Sequence, residues 1–147
     1  MTRGTRLALA AVIAAGLLGA GCSLPKAPCD LVIAAVDEPD VQSIPADAEI
    51  LVTATDVDPA GWAVSEDGNG APAVDLRFTP EAAKRIADHT AANVGGYLAI
   101  AVDGVVVSVP VINGPIEGGA MTISGGVDTD IVEAFGPCLP LEIRPPA

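Results

Sequence analysis

Asp103-Gly104 joins two short apolar runs, residues 98–102 (LAIAV) and 105–109 (VVVSV). An Asp-Gly pair between such runs is the strongest short-range signal for a two-residue β-hairpin, because the tight turn needs positive φ at both positions. The segment before it predicts a helix whose ends are marked by residue type. Thr79 suits the N-cap, Pro80 the first helical position, and Glu81 the positive end of the helix dipole. Ala83, Ile86, Ala87, Thr90, Ala91 and Val94 recur at three- and four-residue spacing, so one face of a helix over about 80–93 is expected to meet a core. The stretch from Asn93 to Gly96 supplies the stop, since glycine accepts the left-handed conformation that a helix end needs. Helix then hairpin is the unit that the remaining chain must accommodate.

Around it the strands are short. Residues 31–36 and 49–55 are strand candidates, and 61–65 with 73–78 predict a hairpin around Glu66-Asp67-Gly68-Asn69-Gly70. Pro110 and Pro115 confine the segment between them to edge pairing or extended backbone. A short strand is expected over 121–124, released by Gly125-Gly126. A two-turn helix over about 128–135, capped by Asp128 or Thr129, and a last strand over 141–143 complete the chain. The fold class is α+β: an antiparallel sheet with the long helix and the short one packed on it. A chain of 147 residues holds one ordinary domain, here residues 31–147.

The first residues are of another kind. Arg3 and Arg6 precede an apolar run of about 15 residues, too short to span a bilayer, which ends LLGAGC at Cys22. This pattern resembles bacterial lipoprotein signals, with Gly19 standing where a leucine is usual. The resemblance implies a signal peptide over 1–21, lipidation of Cys22 and a short tether over 22–30. An ordinary signal peptide or a single membrane anchor is the alternative. Cys29 and Cys138 are then the remaining cysteines, and in an exported chain they suggest a disulfide; two unpaired buried thiols are the other reading.

Without Arg3 and Arg6, five basic residues face nineteen acids, a formal charge of −14. Such a chain repels phosphate backbones and anionic headgroups, so nucleic acid is excluded as a partner and membrane contact is expected through the lipid. No metal or cofactor is expected. There is no Cys-x-x-Cys, one histidine is too few for a zinc site, and the Asp67/Asn69 loop lacks the ligands of a calcium loop. Asp56/Asp58 and Asp128/Asp130 read as solvated pairs. His89 has no evident nucleophile, and Ser65, Ser108 and Ser124 lie outside any Gly-x-Ser-x-Gly elbow, so the chain reads as non-enzymatic. The extended run over 109–116 offers an apolar edge for a partner's strand. Val109, Val111, Ile112, Asn113 and Ile116, with the bend at Gly118-Gly119, are the candidate partner-binding residues. The same run could instead pack over the sheet and close it.

The stretch FTPEAAKRIADHTAANVGGYLAIAVDGVVVSVPVINGPIEGGAMTISGG, over residues 78–126, closely resembles the head subdomain of the first periplasmic domain of SecD/SecDF. The match includes Phe78, Thr79, Glu81, Asn93, Gly95, the Asp103-Gly104 turn, Pro110-Val111-Ile112 and Gly118-Gly119. Gly96 and Tyr97 replace a pair often basic in that family. The resemblance implies contact with polypeptide on the extracytoplasmic side of the membrane, during protein export. No proton-conducting bundle accompanies it, so no motor role is carried over, and a lipid anchor is expected in its place. The partner is thus a polypeptide or an envelope protein. A small ligand held in an apolar pocket between helix and sheet, lined by Ile86, Leu98 and Ile100, is the competing expectation.

Overall fold

The structure is a computed structural model and describes residues 29–124, 130–140 and 142–143. The expected signal peptide, Cys22, Gly125-Gly126 and the candidate caps Asp128 and Thr129 lie outside the described residues. Among the described residues, seven strands and two α-helices follow one another: β1 (Leu31–Val36), β2 (Ile50–Thr53), β3 (Ala63–Glu66), β4 (Pro72–Arg77), α1 (Pro80–Ala92), β5 (Tyr97–Val102), β6 (Val105–Ser108), β7 (Ala120–Ser124) and α2 (Ile131–Ala134). The class is α+β and every strand pairing is antiparallel. The single sheet expected from the sequence is two, in the orders β2-β1-β5-β6 and β3-β4-β7.

The first sheet grows from the hairpin. Asp103 (φ 51°) and Gly104 (φ 86°) both take positive φ, as a type I′ turn requires. Asp103 also ties the turn to the chain before β1. Its N–H donates to the Asp30 carbonyl, and its Oδ1 accepts from the Asp30 N–H, both at 2.9 Å. β1 lies in full register on β5, from Leu31 opposite Val102 to Val36 opposite Tyr97. These two strands hold the centre of the sheet, and five of the six β5 residues are buried.

α1 starts as expected. Thr79 Oγ1 accepts from the Ala82 N–H at 3.4 Å, Pro80 opens the first turn, and Asn93 caps the end. The buried row, however, is Ala82, Ile86 and Thr90, with Ala83 and Ala87 half-covered. Ala91 and Val94 are exposed, because the helix presents one i, i+4 row and Val94 lies beyond its cap. α1 lies against β2 and α2 against β4. Leu31, Ile33, Leu51, Val74, Leu76, Ile86, Leu98, Ile100, Ile123, Ile131 and Phe135 share one core, so both sheets and both helices bury their apolar faces together. The N-cap of α2 is Asp130, whose Oδ1 accepts from the Glu133 N–H at 3.1 Å; the cap therefore falls beyond Asp128 and Thr129. The expected final strand is absent at Glu142 and Ile143, which form a turn, while Leu141 lies outside the described residues.

A disulfide joins Cys29 to Cys138, with Cα atoms 4.9 Å apart across a sequence separation of 109. It fixes the chain entering β1 to the turn that follows α2.

Candidate functional site: a groove between two strand edges

The segment after β6 does not stand off the sheet. Leu98 N–H donates to the Pro110 carbonyl at 3.0 Å, Ile112 N–H to the Gly96 carbonyl at 2.7 Å, and Gly95 N–H to the Ile112 carbonyl at 2.8 Å. Residues 110–112 thus continue the outer edge of the first sheet along the chain that leaves α1. Alternation in an antiparallel ladder sends successive residues' backbone groups to opposite sides. Pro110 and Ile112 face inward, so the N–H and C=O of Val111, opposite Tyr97, face outward. The side chains divide in the same way: Ile112 is 3 % exposed and part of the core, while Val111 is 43 % exposed. The expectation that Ile112 belongs to an open binding edge is therefore corrected. Closing the chain onto Gly95 and Gly96 turns its side chain into the core.

β7 forms the facing edge. Phe78 N–H donates to the Gly119 carbonyl at 2.8 Å, while the Arg77 carbonyl points the other way and accepts from the Asp58 N–H at 2.8 Å. By the same alternation Leu76 and Val74 bond to Met121 and Ile123, their partners in register. The backbone groups of Ala120, Thr122 and Ser124 are left facing outward, on a strand that among the described residues pairs with β4 alone.

Between the two edges lies a groove of about 300 Å³. Leu98, Pro110, Val111, Ile112, Ile116, Met121 and Ile123 give it an apolar lining, with Ser108, Asn113, Thr122 and Ser124 as its polar side chains. Among the described residues no ionisable group lines it. Of the residues expected to bind a partner, the groove gathers Val111, Ile112, Asn113 and Ile116. Val109, Gly118 and Gly119 lie outside its lining. Gly118 (φ 89°) and Gly119 (φ 73°) turn the chain into β7, where a Cβ on Gly119 would sit 3.4 Å from that of Ala83. The β7 wall was not foreseen from sequence. The Gly pairs bracketing AMTIS mark a short strand, but nothing local says which neighbour it pairs with.

Thr90 holds the rim. It is fully buried; its hydroxyl donates to the Ile86 carbonyl at 2.7 Å and accepts from the Ile116 N–H at 2.8 Å. Replacing it with Val keeps the volume and orphans the Ile116 N–H, an expected loss of about 1–2 kcal/mol in urea unfolding. A loss indistinguishable from zero would mean that Ile116 finds another acceptor.

Charge gathers at one end. In the β3–β4 loop, Asp67 Oδ1 accepts from the N–H of Ala71 at 2.9 Å and of Asn69 at 2.8 Å. These bonds, Ala71 first, with a smaller one from Ser124, hold its carboxyl below the ordinary carboxylate range. The loop that invites a calcium reading is thus organised around its own backbone. Asp75 Oδ1 accepts from Thr122 Oγ1 at 2.6 Å.

Elsewhere the chemistry is sparse. The His89 ring lies 3.6 Å from Glu49 and 3.4 Å from the Asn93 amide, and no hydroxyl or thiol bonds to it among the described residues. Among the described residues, no three His, Cys, Asp or Glu side chains lie close enough to share a metal ion. A second hollow of about 350 Å³ is bordered by Asp37, Glu38, Asp47 and Glu49. Ile86, Leu98 and Ile100, expected to line a ligand pocket, are core residues, and only Leu98 reaches the groove. No helix among the described residues is long and apolar enough to cross a membrane.

The model of the SecDF P1 head subdomain matches residues 32–135. The protein translocase subunit SecD of Acidaminococcus fermentans is 44% identical over 69 residues, which are 47% of this chain and 16% of that protein. SecD of Thermobaculum terrenum is 50% identical over 56 residues, 38% of this chain and 11% of its own length. The chain thus corresponds to less than a fifth of these relatives. Two solved structures share the fold. One is of a SecDF described as a membrane component that enhances protein export (TM-score 0.58, 28% identity, 75% of this chain and 60% of that one). The other is of SecDF in a super-membrane-facing form (TM-score 0.57, 29% identity, 67% of this chain and 17% of that one).

Proposed function

The chain belongs to the SecDF P1 head subdomain family, and from that membership we propose that it is a non-catalytic polypeptide-binding module of the cell envelope, an accessory to protein export. Cys22 carries the lipid that holds it to the membrane, on the extracytoplasmic side. The observation that supports this most is the groove, an uncharged apolar channel flanked by outward-facing backbone groups of Val111 and of β7. An unfolded chain offers what such a channel lacks, a backbone with free donors and acceptors and apolar side chains at every second position. Export relatives add the context in which such chains are at hand.

The test is in-cell photo-crosslinking from position 111, where the side chain is exposed at the groove. Adducts with newly exported chains are expected, and Cys22→Ser should move the protein out of the membrane fraction. Crosslinking only to one folded partner, or none at position 111, would refute the polypeptide reading.

A further inference from the structure

Resting on the polypeptide-binding reading above, we infer that the groove takes its occupant by strand addition to the outer edge of β7, as an extended segment whose uncharged residues fill the groove and whose basic flank lies at the Ser124 end.

Three observations carry this. β7 is regular over five residues and turns three sets of backbone groups outward in a row, at Ala120, Thr122 and Ser124. The opposing edge presents Val111 and then leaves the sheet at Asn113-Gly114, so it serves as an apolar wall more than as a template. Among the described residues the lining has no ionisable side chain, and a charge placed there would lose water without gaining a partner. Charge lies beside the lining, with acids from the middle of β7 toward its Ser124 end. Asp75 accepts from the Thr122 hydroxyl and the Ser124 side chain acts weakly on the Asp67 carboxylate, whereas Arg77 stands opposite Ala120 at the other end of β7. The backbone bonds to Asp67 keep it ionised under mildly acidic conditions as well. With a formal charge of −12 on the whole chain, acidic segments are repelled and basic flanks attracted.

The probe is a short labelled peptide of alternating valine and threonine with lysine at both ends, titrated against the full-length protein. Methylating alternate backbone nitrogens in one register should weaken binding roughly fivefold per blocked amide, and in the other register leave it unchanged. Amide exchange at Thr122 and Ser124 should slow when the peptide is bound. Asp67→Asn with Asp75→Asn keeps both acceptor oxygens and should weaken the lysine-flanked peptide roughly threefold, but not its serine-flanked counterpart. If the peptide crosslinks to position 111, yet neither methylated register loses affinity and Thr122 exchanges freely, the groove binds polypeptide and strand addition is wrong. Tighter binding of a glutamate-flanked peptide overturns the assigned charge preference. Absence of the crosslink removes the parent reading itself.

Discussion

Replacing Ile112 with Asp unfolds the domain, while the same change at the adjacent Val111 leaves it folded. Ile112 is 3 % exposed, touches the common core and has both backbone groups bonded to the Gly95-Gly96 turn. Deleting an isoleucine from such a site costs about 2–5 kcal/mol, and an unpartnered carboxylate there adds desolvation of similar size. Their sum rivals the whole stability of an ordinary domain, about 5–15 kcal/mol. Val111 is 43 % exposed and its backbone already faces outward, so its substitution should stay within about 1 kcal/mol. Circular dichroism and thermal melting separate the two. A native spectrum and unchanged melting for Ile112→Asp would mean that residues 110–112 do not close onto the sheet.

Loss of the disulfide should have the next largest effect. Cys29 and Cys138 close a loop with a sequence separation of 109, and chain entropy assigns such a crosslink about 4–5 kcal/mol. Cys29→Ala with Cys138→Ala should therefore lower the melting temperature by roughly 15 °C. Reductant should do the same to the native chain and nothing more to the double variant. A fall of only a degree or two would show that core contacts of Ile131, Phe135 and Leu139 hold the end of the chain unaided.

What could be read from sequence was whatever neighbouring residues decide among themselves. The cap at Thr79, the proline after it and the Asp103-Gly104 turn act over two to four residues, and each lies where expected. Choices made by distant partners were not legible. Asp128, Thr129 and Asp130 are equally good caps, and packing of Ile131 and Phe135 into the core selects the last. Alternation alone cannot say that Ile112 turns inward, because that follows from pairing with Gly96. Nor does AMTIS announce that it joins β4 and leaves its other side open. Thus one wall of the groove was visible in the apolar residues between two prolines. The other was not, because an edge is a property of the assembled sheet.

Because the sulfur–sulfur bond clasps the way into β1 to the way out past α2, a pull on the chain from both sides would travel from Cys29 straight to Cys138. The strands and the channel they border lie within the closed loop, off that line of force. Tension applied at the two ends of the closed loop would thus bypass the groove and leave its two walls in place.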